Sequence, residues 1–366
     1  GYIKPNITFT DELKINIAGD DIELYHAPGE TNDQLFVWLP KHRALMPGDN
    51  IYRTFPNLYT IRGTPHRDVK SWVKSLDHMR SLKPDYLLPS HTKPLEGEEV
   101  LETLTIYRDA IQYVHDQTIR LMNKGHSADE ISNMIQLPPE LSSSPFVREF
   151  YGTVRWSVKS IFNGYLGWFD GNVSNLDPLP SGDYARRLAM LSGGEEKLFE
   201  ALQKAVESED MQWALQLSDN LLALNYKIDS TKKLRQEAIQ YIGDRALNPN
   251  KRNYFLSSAN ELNANYQAEP LLPQTSELLS EISIDMFFDI LSVRLNPEKA
   301  KGIKQRVCFE FDSGNIKTIT LRNQIAEVSS EKTNCDILVK TSEQVLKEAL
   351  AGVRNPIMTV ASGDID

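Results

Sequence analysis

The sequence has only two cysteines in 366 residues, Cys308 and Cys335, both near its C-terminal end. That excludes a disulfide framework and a Cys-rich metal site, and the expected state of the two thiols is reduced. It also lacks any run of about 18 uncharged apolar residues, which excludes an integral membrane segment of the helical kind. Positive charge is in deficit: 40 Lys and Arg stand against 50 Asp and Glu, a formal charge of −10. Nucleic acid is therefore excluded as an expected partner, because phosphate binding rests on clustered cations that release counterions. An initiator Met and a signal peptide are missing from the opening "GYIKPNITF", and the closing "ASGDID" reads as a strand in progress. These ends lead us to expect a fragment of a longer protein, and they leave the compartment open, periplasmic or secreted included.

What is present is enough chain for two or three domains, since single cores stop growing near about 250 to 300 residues. From Ile7 to about Leu95 short β-rich runs alternate with turns. In "ITFTDELKINIAGDDIELYHA" the apolar residues Leu13, Ile15 and Ile17, then Ile22 and Leu24, alternate on either side of a turn-like "AGDD", which predicts a hairpin. "DQLFVWLPKHRALMPGDN" repeats the form. A helix is predicted over "DVKSWVKSLDHMRS" from Asp68 to about Ser81, ended by Lys83-Pro84, and "DYLLPSH" is a further strand entering a loop.

From Glu98 to Asn263 the period becomes helical. One long helix is predicted to close near Gly125, a Pro-rich "LPPELSSSPF" interrupts, and several helices follow "LDPLPSGD". No strict repeat period is visible. From Leu271 the pattern changes again: "TSELLSEISIDMFFDILSVRL" reads as an amphipathic helix, "QRVCFEFD" and "KTITLRNQIAEVSS" as strands around a Ser-Gly turn, and "TSEQVLKEALAG" as helix. The expected class is multidomain: α/β, then all-α, then α+β.

The chemistry-bearing stretch is "HAPGETNDQLFVWLPKHRALMPGDN". It places Glu30 in a turn before one strand and Asp49 in a turn after the next, and His91 ends the following strand. If the strands are neighbours, the three loops share one sheet edge. Taken singly, Glu30 reads as a cap or solvated turn residue, Asp49 as an Asx turn and His91 as a structural histidine. Taken together, two carboxylates and an imidazole on strand-end loops are the donor types of a hydrolytic metal site.

"HAPGET" followed by an apolar hairpin and "GDN" resembles the metallo-β-lactamase superfamily, and Glu30 in place of the superfamily's usual His resembles its alkylsulfatase branch. "NLYTIRGTPHRD" (57–68), "PSHTKP" around His91 and "YGTVRWSVKSIFNGYLGWFDGNVSNLDPLP" (151–180) carry the same resemblance. Trp156 departs from it, standing where many relatives place a His. The resemblance implies the C-terminal part of a metallo-β-lactamase αββα fold over 1–120, a helical dimerisation domain over 121–265 and a truncated sterol-carrier-like, alkyl-chain-binding domain over 271–366. It further implies two zinc ions, with Glu30 ligating one, His91 the other and Asp49 bridging. Arg62 and Arg67 suit a sulfate head group by guanidinium geometry. Tyr165 and Trp168 are candidate substrate contacts, and Phe287, Phe288 and Leu291 candidate lining for an alkyl chain.

The family's His-x-His-x-Asp-His motif is absent: the seven histidines stand at His26, His42, His66, His78, His91, His115 and His126. About one private ligand per metal plus a bridge is too few for a catalytic zinc. The expectation is an alkylsulfatase whose remaining ligands lie upstream, acting as a homodimer on an alkyl sulfate. Other hydrolyses on the same fold, of thioesters, lactones or phosphodiesters, and a non-enzymatic lipid-binding dimer remain as alternatives.

Overall fold

The structure, a computed structural model, describes residues 5–263, 265–267 and 275–365. Two compact units divide the chain, Gly1–Gln267 and Ala268–Asp366.

In the first unit a six-stranded sheet runs in sequence order, β1 (Glu12–Ile17), β2 (Asp20–His26), β3 (Leu35–Leu39), β4 (Ala44–Met46), β5 (Tyr86–Leu87) and β6 (Leu95–Glu96). All neighbours are antiparallel except β4 and β5, which are parallel. A parallel pair needs a crossover, and α1 (Val69–Ser81) lies within it. Asp68 caps α1, its Oδ1 accepting from the backbone nitrogens of Lys70 at 3.0 Å and Ser71 at 3.3 Å. The helix buries Val69, Trp72, Leu76 and Met79, the stripe its sequence period requires.

Helix α2 (Glu98–Met122) packs on α1 and buries Leu104, Tyr107, Ile111 and Val114. Beyond it, α3 (Ala128–Met134), α4 (Pro139–Ser142) and α5 (Val154–Leu166) close over the same apolar core, which runs continuously from Ala27 to Phe162. A second core, from Ala189 to Ala238, is built by α6 (Ser181–Leu191), α7 (Glu195–Glu207), α8 (Met211–Ala223) and α9 (Ile228–Arg245), with α10 (Pro249–Glu261) packed on α9. Helix α6 begins directly after the Pro-rich "LDPLP" and was not anticipated from sequence.

The second unit holds α11 (Ser276–Glu281), α12 (Ile284–Val293), β7 (Gln305–Phe311), β8 (Ile316–Arg322), β9 (Ile325–Ser329), β10 (Ile337–Thr341), α13 (Glu343–Leu350) and α14 (Pro356–Ala361). The expected opening at Leu271 lies outside the described residues. Several expectations are corrected here. The amphipathic run is two helices, because Ile282 is extended and Ser283 caps a new start by accepting from the nitrogen of Met286. "KTITLRNQIAEVSS" is a hairpin, since Asn323 and Gln324 take φ of 52° and 64° and turn the chain between β8 and β9. Before "ASGDID" lies helix α14, opened by Pro356 after an Asn355 cap, and Ile365 makes a single bridge to Thr341.

The cysteines are not a reduced pair: Cys308 and Cys335 form a disulfide. Parallel pairing of β7 with β10 brings their Cα atoms to 5.8 Å, inside the span a disulfide requires. Phe287 and Phe288 belong to this unit's core with Phe309 and Phe311, and Leu291 packs partly buried against it. Phe288 meets Phe309 edge to face at 5.1 Å.

Candidate active site

The sheet order decides where the three candidate ligands go. Glu30 sits in the β2–β3 loop, and the β3–β4 hairpin returns the chain so that Asp49 follows β4 at the same end. Because β5 runs parallel to β4, the chain leaving β5 toward His91 emerges at that end too. Glu30, Asp49 and His91 accordingly line one cavity of about 380 Å³, with Tyr52, Arg53, Thr54 and Tyr151.

Asn50 ties the first two loops together. It is fully buried; its Nδ2 donates to Ala27 O at 2.7 Å and its Oδ1 accepts from the nitrogen of Glu30 at 3.3 Å. Trp72 from α1 donates to Asn50 O at 3.1 Å, so the helix fixes the same corner. A Cβ on Gly29 would fall 1.9 Å from Asn50 Oδ1, which is why the residue before Glu30 must be glycine here.

His91 Nε2 lies 3.3 Å from Asp49 Oδ1, near the mouth, where the two side chains are 68% and 40% exposed. Glu30 is deeper, 12% exposed, and faces Arg67 at 3.4 Å. Burial raises the Glu30 carboxyl above its ordinary range, against the opposing pull of the Arg67 charge and a Tyr52 hydrogen bond; Asp49 adds to the rise. Tyr52 and Tyr107, buried beside it, have their phenols pushed well up, burial being the main cause. A desolvated carboxylate backed by neutral phenols is a site that gains from a cation.

In type, the donors suit zinc: two carboxylates and an imidazole at one cavity. In number they fall short, for among the described residues no three His, Cys, Asp or Glu side chains gather around one point. Asp49 and His91 approach each other, while Glu30 is turned to Arg67.

The other sequence candidates separate. Arg62 is not itself among the residues lining the cavity but binds one that is, its Nη2 donating to Tyr151 Oη at 3.1 Å. Arg67 is committed within the wall: besides Glu30 it donates to Asn57 O, and its Nε has no partner. Tyr165 and Trp168 are not among the cavity residues. The Tyr165 hydroxyl is 2.9 Å from His115 Nε2, and Trp168, 72% exposed, lies edge-on to Phe169. Trp156 lines a different groove with Arg245, Lys251 and Phe255.

Sequence reading passed over Asn50, Tyr52 and Tyr151. The signal for the first two was adjacency to Asp49 in "GDNIY". For Tyr151 it was its place at the head of the 151–180 stretch, but its position at the cavity comes only from the fold, where Thr54 Oγ1 donates to Arg148 O at 2.6 Å across 94 residues.

With this geometry in place, comparison with known proteins is informative. A linear primary-alkylsulfatase of Pseudomonas sp. is 34% identical over 96% of this chain and 71% of its own length. The chain belongs to the alkylsulfatase family. The metallo-β-lactamase superfamily matches residues 2–91, alkyl sulfatase dimerisation 127–265 and alkyl sulfatase C-terminal 273–366. An alkyl/aryl-sulfatase of Saccharomyces cerevisiae is 30% identical over 95% of this chain and 55% of that protein. The solved stereoselective inverting sec-alkylsulfatase from Pseudomonas sp. superposes with a TM-score of 0.88 at 26% identity, covering 99% of this chain and 59% of that one. The chain thus spans between about half and seven-tenths of these relatives. Membership of the metallo-β-lactamase superfamily implies metal ions.

Proposed function

We propose that this alkylsulfatase-family chain carries part of the active site of a zinc-dependent hydrolase that cleaves alkyl sulfate esters to alcohol and inorganic sulfate. The observation that carries this reading is that Glu30, Asp49 and His91 line one cavity, with the Arg62 guanidinium bound to Tyr151 of the same lining. Glu30 would hold one ion, His91 the other, and Asp49 would bridge; bound zinc supplies Lewis-acid activation of water. The remaining ligands, in this reading, come from a His-x-His-x-Asp-His segment preceding this chain, which accounts for the shortfall in donors.

The chain's own residues do the rest. Asn50 and Trp72 hold the Glu30 and Asp49 loops against each other. Arg67 faces the Glu30 carboxyl and anchors the loop through Asn57 O. Arg62 offers a guanidinium to the sulfate head group. Residues 127–265 would form a homodimer, and 273–366 would take the alkyl chain.

The test is zinc analysis together with dodecyl sulfate hydrolysis, on this chain and on one extended upstream through the expected motif. Two zinc ions and sulfate release in the extended form alone support the reading. Zinc without sulfate release would sink the substrate assignment, and two tightly held zinc ions in this chain alone would refute the ligand map.

A further inference from the structure

Among the described residues, the proton of one hydroxyl on the cavity wall meets no protein acceptor. Arg62 Nη2 donates to Tyr151 Oη at 3.1 Å. A guanidinium has donors only, so the phenol must accept from it and direct its own proton elsewhere. Among the described residues no acceptor meets that proton, and the side chain lines the cavity shared by Glu30, Asp49 and His91. No carboxylate among the described residues is in ion-pair contact with Arg62, although the Glu30 charge acts on it from a distance, so the guanidinium and the phenolic proton can both meet an incoming anion.

The segment carrying Tyr151 is held from two sides. Phe55 N donates to Arg148 O at 2.7 Å and Gly152 N to Phe55 O at 3.1 Å, which fixes the segment carrying Tyr151 against the loop that follows Asp49. From the helical layer, Asn248 Nδ2 donates to the carbonyls of Glu149 at 2.9 Å and Tyr151 at 3.0 Å, and Asn250 Nδ2 to Tyr151 O at 3.3 Å. The ring stands edge-on to Tyr52 at 5.5 Å. A Cβ on Gly152 would fall 1.8 Å from Pro56 O, so the next residue is held in contact with the same loop. This is a donor on a rigid support, the form a site needs to orient a ligand.

We propose that Tyr151 is a substrate-orienting residue, donating its phenolic hydrogen bond to an oxygen of the anionic sulfate-ester head group while Arg62, held on the same phenol oxygen, supplies the charge. This rests on the sulfate-ester reading above. Asn248, which touches only the backbone of Tyr151, is then a positioning residue.

The experiment uses the full-length, metal-loaded protein and two readouts: hydrolysis of decyl sulfate, and calorimetric binding of decane-1-sulfonate, which presents an anionic head group but no ester to cleave. Tyr151→Phe keeps the ring and removes the donor. The expected result is a fall in kcat/KM and a weakening of sulfonate binding, each roughly 10- to 100-fold, as for a hydrogen bond to a charged partner. Asn248→Ala should move both in the same direction by a smaller factor and, should the phenylalanine variant not fold, decides alone. Unchanged sulfonate affinity and kcat/KM in the folded variant overturn the proposal, as does a wild type that binds no sulfonate. A wild type that binds sulfonate through Tyr151 but releases no sulfate from decyl sulfate leaves the head-group seat standing and overturns the hydrolase reading instead.

Discussion

Asn50 Oδ1 accepts a hydrogen bond from the backbone nitrogen of Glu30 at 3.3 Å, so the residue beside one candidate metal ligand holds the loop of another. Glu30 and Asp49 are 19 positions apart in sequence, yet their separation in space is set by this one buried amide and the Trp72 indole on its carbonyl.

Asn50→Ala is expected to strand Ala27 O and the Glu30 nitrogen. Two lost hydrogen bonds in a buried setting amount to roughly 2 to 3 kcal/mol. Thermal unfolding measures the loss, and zinc affinity of the upstream-extended protein should fall with it. Gly29→Ala should cause a similar loss by overpacking, since its methyl would collide with Asn50 Oδ1.

Glu30→Gln replaces the carboxyl facing Arg67 with a neutral group that mimics its protonated form. Burial raises the folded-state pKa of Glu30, so the folded protein favours the protonated form. Its contribution is greatest below the unfolded value and declines as pH rises through the folded one. Denaturant midpoints taken from pH 4 upward should show wild-type stability declining relative to Glu30→Gln across that interval. A constant difference would show that the carboxylate is not desolvated.

Asp68 has the opposite sign. Burial raises its carboxyl, but hydrogen bonds from Ser71 and the backbone nitrogens of the first α1 turn outweigh that and hold it below the ordinary range. Its stabilisation is therefore present above the unfolded pKa and lost as pH falls through the folded one. Asp68→Ala should cost about 1 kcal/mol at neutral pH. Asp68→Asn, which keeps a capping oxygen, should recover most of it in the same unfolding assay.

Cys335→Ser opens the 27-residue separation closed by the disulfide to Cys308. In the chain-entropy view that removes roughly 3 to 4 kcal/mol from the C-terminal unit. Thiol titration of the unfolded wild type should detect no free thiol before reduction and two after it. Two free thiols before reduction would show that the bridge does not form.

Asp49→Asn and His91→Ala are each expected to lower zinc content and abolish sulfate release in the extended protein, with little effect on folding. Both side chains stand at the cavity mouth, where surface substitutions shift stability by about 0.5 kcal/mol or less.

Much of this protein was determined by its sequence alone, and for a local reason. The hairpin from Glu12 to His26, helix α1 with its Asp68 cap and the long α2 follow from side-chain period and capping chemistry, which act within a few residues. The Glu30, Asp49 and His91 set was legible because strand ends recur where loops return to one edge. Local reading failed where a turn was made of ordinary polar residues, as at Asn323–Gln324, and where a capping serine split one apolar period into two helices at Ser283. It also failed for Cys308 and Cys335, because a disulfide depends on the parallel pairing of β7 with β10 and not on spacing.

Only the tertiary structure decided which arginine binds a cavity-lining tyrosine, Arg62, and which is spent on Glu30, Arg67. Only it brought Tyr151 to the cavity rim. Both are questions of long-range packing, where hydrogen bonds between segments some 94 residues apart, such as that from the Thr54 hydroxyl to Arg148 O, set positions that no local period can encode.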